Sequence, residues 1–570
     1  MLEGAFISEV ESVPFCVNPL TVAENESKLR LVLDMSYVND FLDVPSFKYE
    51  GLSNFSDMVS ENDYAIKFDL TSGYHHIEIH REHKKYLGFK WIYEDGTVRY
   101  FVFDVLPFGC ASACHAFTKI MRALLKKWRN FGLRVIIYID DGICVSDSFE
   151  KGQEAGIRIK SDLESAGFVI NQKKSIWSPT QKIDFLGFSV STTDMTYEVP
   201  IKKIEKFKVL AEAILKSGKA CAKDISRVTG RLVSMQPALG NLVYLTTRCM
   251  FAFIAKQSTW FRKSALDKGA IDELKFWSEN LSARNGFAIK RKVEITRVIF
   301  SDASERGFGG FLITKRGQEL AKGDFSGSET GTSSTHRELL AVKYVMESFG
   351  EKLAGQTILW YTDNQNVPII LRKGSAKLDL TFLALEIFSY SLKLGLEICP
   401  VWLPREENQL ADELSKMCDS DSWGIDNESF DYVQANFGQF TYDRFADHVN
   451  RKTENFDAKF FCPGVTEVNT FATDWSGHFN WVCPPISQVG RALRHFKICK
   501  ATGVLCVPEW RSAYFWPLLI EKNGAEFKSF VKGYLLLDPY FLTFNKSAKT
   551  NVFNGFAKFR TLALLIDCRV

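Results

Sequence analysis

The feature that most constrains this chain is the segment VIIYIDDGICVS at residues 135–146. Apolar runs lie on both sides of Asp140-Asp141-Gly142, a pattern that predicts two short strands joined by a tight turn that tolerates positive φ. Adjacent carboxylates repel each other unless positive charge lies between them. Two neighbouring aspartates at the centre of a hairpin therefore suggest a cation site, with an ordinary polar turn as the alternative.

A third aspartate fits the same interpretation. In AIKFDLTSGYHHIEI, residues 65–79, Asp69 ends an apolar strand and a glycine-containing turn follows. Alone, Asp69 would more often be a capping or turn residue. Together with Asp140 and Asp141 it supplies the carboxylates that two-metal phosphoryl transfer requires, and a few oxygen ligands completed by phosphates suit Mg²⁺. His75 and His76 are interpreted as surface or strand residues because Mg²⁺ prefers oxygen.

Four further acidic residues recur on predicted elements downstream. Asp302 ends the strand VIFSDAS, and Glu338 lies on a helix that begins near STHRELL. Asp363 ends the strand TILWYTD, and Asp412 lies early in the helix NQLADELSK. Each is weak evidence alone, because Asp302 before Ala-Ser could be only a cap or a turn residue.

Length and composition bound the class of protein. A chain of 570 residues is expected to form three to five domains. The sequence has no apolar run of about 18 residues and no signal-peptide pattern, which predicts no membrane span and an intracellular location, in the cytoplasm, the nucleus or both. The 13 cysteines include no C-x-x-C pair, as expected for free thiols in a reducing compartment. The net charge of +3 leaves room for local basic surfaces.

Changes in residue composition and hydrophobic periodicity divide the chain into five segments. Short apolar strands with Gly and Pro turns give way to basic amphipathic helices, then to alternating strands and helices, a polar acidic stretch and an aromatic-rich region. The predicted segments are residues 1–198, 199–294, 295–420, a linker at 421–437, and 438–570.

Six motifs in order resemble those of reverse transcriptases. Tyr138-Ile139-Asp140-Asp141 resembles the Y-x-D-D box, and Phe68-Asp69 with Ser72-Gly73-Tyr74 resembles the first palm motif. The others are LRLVLDMSYVN of the fingers (29–39), LPFGCASA (106–113), GFVINQKKS (167–175) and the primer-grip FLGF (185–188).

The resemblance implies a right-hand polymerase of fingers, palm and thumb. Its catalytic, metal-holding residues would be Asp69, Asp140 and Asp141. Its nucleotide-binding residues would be Lys28, Arg30, Tyr74, Gly109 and Lys174, with Asn171 at another motif position. A ring at Tyr74 would lie beneath the sugar and exclude a 2′-hydroxyl, thereby selecting deoxynucleotides, whereas the alternative is a core tyrosine.

The second acidic set resembles ribonuclease H. The signatures F-S-D-A-S, T-H-R-E-L, Y-T-D-N and A-D-E-L-S carry its D-E-D-D set, here Asp302, Glu338, Asp363 and Asp412. The resemblance implies that these four hold two metal ions and hydrolyse the RNA of an RNA–DNA hybrid. Many members carry a mobile His before the last Asp. Here that loop is LPREENQ (403–409) with Arg405, so we expect a slower reaction.

The carboxy-terminal region has a looser resemblance. Residues 441–520 resemble the segment that follows the polymerase in DIRS-type retroelements, and also a degenerate phage-type adenine methyltransferase. The Asn-Pro-Pro-Tyr loop of such enzymes is here Cys483-Pro484-Pro485-Ile486, without the amide and the aromatic ring that grip the base. We therefore expect a structural or nucleic-acid-contacting α/β domain without methyl transfer. A tyrosine recombinase, suggested by His448-x-x-Arg451, is rejected because the next tyrosine, Tyr514, is too distant.

The sequence thus predicts a multidomain α+β and α/β protein: a right-hand polymerase, a ribonuclease H-like domain and a degenerate methyltransferase-like α/β domain. The predicted function is RNA-directed DNA polymerase with ribonuclease H activity in a retrotransposon. The expected cofactor is Mg²⁺, two ions per site, with Mn²⁺ as the alternative. The expected partners are an RNA template, a DNA primer, the RNA–DNA hybrid, dNTPs, and a recombinase or other retroelement proteins. The alternatives are a catalytically weak or domesticated remnant that binds nucleic acid, in which part of the fingers would be missing, and a methyltransferase with polymerase-like appendages.

Overall fold

The structure of the chain is a computed structural model. The structure describes residues 1–570 except 2–3, 26–27, 290–293, 418–422, 522–523, 525, 539–541, 544–552, 554, 557–558 and 570. Two compact units are present. One comprises Met1–Val243 with Cys249–Lys292, and the other comprises Tyr244–Arg248 with Val293–Val570.

The amino-terminal part of the first unit mixes short strands and helices, in agreement with its Gly- and Pro-rich sequence. Its elements are β1 (Ile7–Val10), β2 (Leu20–Asn25), β3 (Lys28–Leu33), α1 (Ser36–Asn39), α2 (Leu52–Met58), β4 (Tyr64–Asp69), β5 (Gly88–Ile92), β6 (Val98–Phe103), α3 (Ala113–Asn130), β7 (Arg134–Tyr138), β8 (Asp141–Ser146), α4 (Phe149–Ser165), β9 (Ile176–Thr180), β10 (Lys182–Phe185), β11 (Phe188–Ser191) and β12 (Thr196–Glu198).

The central sheet of this unit has the strand order β7-β8-β4-β9 and is antiparallel throughout. Helices α3 and α4 pack against this sheet, and the core that they share with it includes Phe68, Phe117 and Trp128. The FLGF motif forms the β10–β11 hairpin, where Leu186 and Gly187 both have positive φ, as in a two-residue type I′ turn.

The rest of the first unit is mostly helical, as predicted for residues 199–294. Its elements are α5 (Ile201–Ser217), β13 (Lys219–Ala220), α6 (Ala222–Ser234), α7 (Gln236–Leu239), α8 (Leu242–Leu245), α9 (Arg248–Lys256), β14 (Ser264–Ala265), α10 (Lys268–Asn280) and β15 (Phe287–Ala288); α8 and α9 cross the boundary between the units.

The second unit begins with a five-stranded mixed sheet. Its elements are β16 (Arg297–Ala303), β17 (Gly307–Thr314), β18 (Gly317–Asp324), α11 (Gly327–Thr330), α12 (Ser334–Phe349), β19 (Thr357–Thr362), α13 (Asn366–Lys373), α14 (Leu378–Lys393), β20 (Glu397–Trp402) and α15 (Gln409–Lys416). The strand order is β18-β17-β16-β19-β20, with the first three antiparallel and the last three parallel.

A glycine in β17 lets a helix approach this sheet closely. A Cβ on Gly309 would lie 2.4 Å from the Ser415 nitrogen and 2.5 Å from the Ala411 oxygen, both in α15. Only glycine therefore permits α15, which carries Asp412, to rest on the strand next to β16. On the same sheet, α12 begins at a side-chain cap, because Ser333 Oγ accepts a hydrogen bond from the His336 backbone.

The chain then forms a second sheet. Its elements are α16 (Asn427–Phe437), β21 (Tyr442–Asp443), β22 (Asp457–Ala458), β23 (Glu467–Val468), β24 (Phe479–Val482), α17 (Val489–Ile498), β25 (Thr502–Pro508), α18 (Trp516–Leu519), β26 (Val531–Leu537), β27 (Leu542–Thr543), β28 (Gly555–Phe556) and β29 (Thr561–Asp567). The strand order is β21-β24-β25-β29-β26. The first three strands are parallel, and β29 is antiparallel to both of its neighbours.

The expected linker at 421–437 is wrong in its described part. Residues 427–437 form α16, whose Phe430 and Val433 are buried with Trp423 in the core of the second sheet. The stretch is polar and acidic because one helix face is exposed and Asp426 caps the helix by accepting a hydrogen bond from the Ser429 nitrogen. Composition alone could not separate a capped amphipathic helix from a linker.

The two sheets of the second unit are joined at a strand edge. The Phe461 nitrogen donates to the Leu320 oxygen, and the Lys322 nitrogen donates to the Phe461 oxygen, at 3.0 and 2.9 Å. This parallel bridge occupies the outer edge of β18. The ring of Phe461 packs on Phe349, and His448 packs on Phe308 of the neighbouring strand.

Phe68 leaves no room for a side chain at Gly142. A Cβ there would lie 2.0 Å from the ring of Phe68, so we expect Gly142→Ala to lower the free energy of unfolding by about 1–3 kcal/mol or more through overpacking. The matched control is Gly230→Ala in α6, where the Cβ would meet nothing within 4 Å. It should stabilise by up to about 1 kcal/mol. Chemical denaturation of both variants measures the contrast, and equal stabilities would contradict the packing argument.

Candidate functional sites

The hairpin predicted at residues 135–146 exists as β7 and β8, and it brings three aspartates to one end of a sheet. Tyr138 faces Asp141 across the hairpin, and Asp69 faces Asp141 across the β4–β8 ladder. The Leu70 nitrogen also donates to the Asp140 oxygen at 3.1 Å, which ties the turn to the end of β4. The register of the sheet thus places the carboxylates of two strands side by side.

The position of the turn differs from the prediction. The residues between the paired strands are Ile139 and Asp140, and the positive φ of 57° belongs to Ile139, whereas Gly142 lies within β8. A positive φ is strained for a β-branched residue, and such strain is typical of functional sites. The sequence suggested glycine as the turn residue, but its absent side chain instead makes room for Phe68.

Counter-charges hold the aspartates together. Asp69 is only 3% exposed, and its two oxygens accept hydrogen bonds from Asn171 Nδ2 at 2.9 Å and Lys174 Nζ at 3.0 Å. Lys67 Nζ lies 3.5 Å from Asp141 Oδ1. Burial, with the nearby charges of Asp69 and Asp140, raises the pKa of Asp141 despite Lys67. The hydrogen bond to Asp69 raises the pKa of Lys174. Lys67 was not predicted from the sequence, because no motif marks it.

A cavity of about 730 Å³ opens beside these aspartates. Asp69, Asp140, Lys174 and Tyr74 line it. The Tyr74 hydroxyl pairs with Cys114 Sγ at 2.8 Å, and burial followed by this hydrogen bond raises the pKa of Tyr74. The ring is therefore fixed at the cavity wall and stays neutral.

Of the other predicted nucleotide-binding residues, the structure describes the surroundings of Gly109 but not the side chains of Lys28 and Arg30. Gly109 has a φ of 106°, and a Cβ on it would lie 1.9 Å from the Leu33 oxygen, so its backbone packs against the end of β3. Its neighbour Phe108 lines the cavity. The backbone of Lys28 and Arg30 belongs to β3, but their side chains lie outside the described residues. Their roles stay predictions.

In the second unit, the mixed sheet and α12 assemble the other carboxylates. Asp302 ends β16, Asp363 follows β19, and Glu338 projects from α12. Ligand atoms of these three residues lie within 4.8 Å of one another. Within the described part of the chain, this is the one cluster of three or more His, Cys, Asp or Glu side chains with metal-binding geometry.

Asp302 and Glu338 are buried and Asp363 is half-buried, and few hydrogen bonds compensate the three carboxylates for this burial. Burial raises the pKa of Asp302 to about 6 against the hydrogen bond from Ser415 Oγ, and nearby Asp363 and Asp412 add to the increase. Burial also raises the pKa of Glu338 well above its usual value, and it raises the pKa of Asp363. Glu338 Oε2 is buried and accepts no hydrogen bond from the described residues. A buried, unsatisfied carboxylate oxygen within an acidic cluster fits a divalent cation.

Asp412 is the exception among the four. Arg405 Nη2 donates to its Oδ1 at 2.5 Å, and Lys416 Nζ donates to its Oδ2 at 2.6 Å. Burial opposes its ionisation, but these hydrogen bonds outweigh burial and lower its pKa. The structure therefore places Asp412 at the rim of the cluster, in an ion pair with the arginine that occupies the histidine loop. Helix α15 supplies two further partners, Ser415 and Lys416, which were not predicted from the sequence.

Two family models match separate stretches of the chain. Residues 27–190 match the family model "Reverse transcriptase (RNA-dependent DNA polymerase)", and residues 293–390 match "RNase H-like domain found in reverse transcriptase". The chain carries a reverse transcriptase domain and a ribonuclease H-like domain. No described helix is long and apolar enough to cross a membrane.

The similar proteins are polyproteins. The chain is 23% identical over 451 residues to an enzymatic polyprotein of Cassava vein mosaic virus, covering 75% of this chain and 65% of that protein. It is 24% identical over 376 residues to the enzymatic polyprotein of Figwort mosaic virus (strain DxS), covering 63% of this chain and 53% of that protein. It is 21% identical over 411 residues to the retrovirus-related Pol polyprotein from transposon opus of Drosophila melanogaster, covering 69% of this chain and 38% of that protein. The chain thus spans less than two thirds of these relatives.

Among solved structures, a foamy viral protease-reverse transcriptase in complex with dsDNA is similar to this chain. The two are 18% identical with a TM-score of 0.46, covering 70% of this chain and 80% of that one.

The raised pKa values make metal binding at the Asp302 cluster depend on pH. Below pH 6 a bound ion must displace protons, so affinity should fall about tenfold per pH unit for each displaced proton. Calorimetric titration with Mn²⁺ at pH 5.5, 6.5 and 8 should show progressively tighter binding and proton release at the lower values. Glu338→Gln is the control, which should lose this heat signal. Equal affinity at all three values would contradict the burial of the cluster.

Proposed function

We propose that this chain copies RNA into DNA and cleaves the RNA of the resulting hybrid. The observation that carries the proposal is the presence of two separate buried carboxylate sites in one chain, each inside the domain that matches the corresponding family. The proposed substrates are an RNA template, a DNA primer and dNTPs, followed by the RNA–DNA hybrid.

At the polymerase site, the dNTP would occupy the cavity beside Asp69, Asp140 and Tyr74. Two divalent ions held by Asp69 and Asp140, when bound, would lower the pKa of the primer 3′-hydroxyl and stabilise the leaving phosphate. Lys174 and Asn171 orient Asp69, while Asp141, paired with Lys67, adds negative charge behind the ion-binding residues. Positioning and fixed charge would supply most of the catalysis.

At the ribonuclease site, Asp302, Glu338 and Asp363 would hold the ions. Ser415 fixes one carboxylate oxygen of Asp302, and Trp402 Nε1 donates to the backbone carbonyl oxygen of Asp363 at 3.0 Å. The first contact orients the Asp302 carboxylate before the hybrid binds, and the second fixes the backbone from which the Asp363 side chain projects. Asp412 would join the site from its ion pair with Arg405 and Lys416. We propose Mg²⁺ as the ion at both sites because all of these protein ligands are oxygens.

We further propose that the chain comes from a DIRS-type retroelement. The motif order, and a carboxy-terminal α/β domain with Cys483-Pro484-Pro485 directly after a parallel strand, support this assignment. A recombinase or other retroelement proteins would act with it inside the cell. The altered loop supports a role for this domain other than methyl transfer.

Separate substitutions should separate the two activities. Because loss of a metal-holding carboxylate removes several kcal/mol of transition-state stabilisation, Asp140→Asn should reduce primer extension on an RNA template about 10³-fold. It should leave hybrid cleavage intact. Asp363→Asn should do the reverse, so each variant is the control for the other. If the unaltered chain binds the hybrid but makes no DNA and cleaves no RNA, the nucleic-acid-binding remnant becomes the better description.

Substitutions at Tyr74 test sugar selection. Tyr74→Ala removes the fixed ring and should raise the relative kcat/KM for ribonucleotides by about tenfold or more. Tyr74→Phe keeps the ring, loses only the contact with Cys114, and should retain selection. Single-nucleotide incorporation of dNTP and rNTP gives the ratio. Unchanged discrimination in Tyr74→Ala would show that the ring is only a core residue.

A further inference from the structure

A second cavity lies in the carboxy-terminal part of the chain, in a place that neither catalytic site uses. It has a volume of about 460 Å³, within the range of pockets that hold a small organic ligand. Its walls combine Lys322 and Gly323 at the end of β18 with residues that follow β21 and β24. The edge-strand bridge to Phe461 joins these two parts, so the cavity depends on both sheets of the second unit.

The position of the cavity suits ligand binding. Strands β21 and β24 are parallel neighbours, and the cavity includes Arg444 after the first and Cys483 after the second. The carboxyl ends of parallel strands form a crevice where open α/β sheets commonly bind ligands.

The floor of the cavity is fixed and its polar groups are already satisfied. Arg444 and Asp457, only 1% and 0% exposed, form an ion pair with a distance of 3.1 Å. Arg444 also donates to Asn480 and Thr473, and the Tyr442 hydroxyl donates to Asp457 at 2.8 Å. A ligand would therefore meet a rigid base and find its partners on the walls and rim.

The walls and rim favour a nucleotide. Phe445 and Phe471 supply partly exposed aromatic surface, and Trp423, which is only 3% exposed, lines the cavity beside them. The guanidinium of Arg491 lies 3.9 Å from the ring centroid of Phe471, and this cation–π pair could serve as a platform for a stacked base. Apart from the Arg444–Asp457 pair, the charged lining residues are the three cations Lys322, Lys459 and Arg491 and the single carboxylate Asp447. Lys322 is also paired with Asp324 outside the lining, at 3.7 Å. The remaining positive charge, from Lys459 and Arg491 against Asp447, suits a phosphate group.

We propose that this cavity binds one unpaired nucleotide of a single-stranded nucleic acid, with the base against Phe471 and Arg491 and the phosphate toward the rim cations. Cys483 occupies the position of the asparagine in the Asn-Pro-Pro-Tyr loop, so that particular amide is absent from the cavity, and the proposal is one of binding without methyl transfer. A free mononucleotide shares this chemistry, and a competition experiment distinguishes it from the proposed strand.

Photocrosslinking tests the proposal on the full chain without divalent ions. A short oligothymidylate that contains one 4-thiothymidine should crosslink to peptides that include Phe471 or Trp423. Unlabelled oligothymidylate should compete at least about tenfold better than thymidine monophosphate, because neighbouring phosphates add charge contacts. Competition by the mononucleotide alone would assign the site to free nucleotides and overturn the strand proposal.

Matched variants remove the platform. Arg491→Ala should lower this crosslink about tenfold, whereas Arg494→Ala removes the same charge from the same helix outside the cavity lining and should leave it unchanged. Ser487→Trp, at an exposed lining position, should block the cavity without unfolding the domain, which circular dichroism verifies. A crosslink that survives both Arg491→Ala and Ser487→Trp, or maps only to the first unit, would overturn the proposal.

The result is separable from the polymerase proposal. A chain that lacks both catalytic activities can still give the mapped crosslink, and a fully active chain can lack it. Displacement of the oligonucleotide from this cavity by S-adenosylmethionine at similar concentration would also contradict the proposal, because it would identify a methyl-donor pocket.

Discussion

The repulsion between buried carboxylates is the constraint on which the two catalytic sites depend. In each, the backbone register brings aspartates together that would separate in water, and the fold must compensate for their burial. The polymerase site does so with protein cations and an amide: Lys174 and Asn171 bind Asp69, and Lys67 faces Asp141. The pKa of Asp141 is still raised, so the compensation is incomplete.

The ribonuclease site reaches a different balance. Asp302 and Glu338 are buried with only neutral hydrogen-bond donors beside them, whereas the cations Arg405 and Lys416 form ion pairs with Asp412 at the rim. The pKa values of the inner three carboxylates rise as a result. In the polymerase site, protein cations lie next to the aspartates. In the ribonuclease site, the inner carboxylates have no adjacent protein cation among the described residues, so a divalent ion would stabilise them most.

Much of this arrangement could be predicted from the sequence because apolar strands followed by Asp are a local signal. The hairpin at Asp140, the helix that carries Glu338 and the strands before Asp302 and Asp363 all follow from such patterns. Long-range partners could not be predicted in this way: Lys67 and Ser415 act through register and helix packing, which no local pattern encodes. Lys416 differs, because it lies four residues after Asp412 on the same helix, a spacing from which the ion pair could have been predicted. The misplaced turn has the same origin, because the role of Gly142 depends on a ring in another strand. The helix at 427–437 was missed because exposed acidic residues conceal its buried face.

The contact between Phe461 and β18 has a consequence for how this chain can be divided. An unpaired outer strand offers its amide and carbonyl groups to any extended segment, and natural proteins cover such edges to avoid self-association. Here the cover comes from residues more than a hundred positions later in the chain. A fragment that ends with the ribonuclease H-like domain would therefore expose the edge of β18 to intermolecular β-pairing. The carboxy-terminal domain thus protects the ribonuclease H-like domain against aggregation in addition to packing against it.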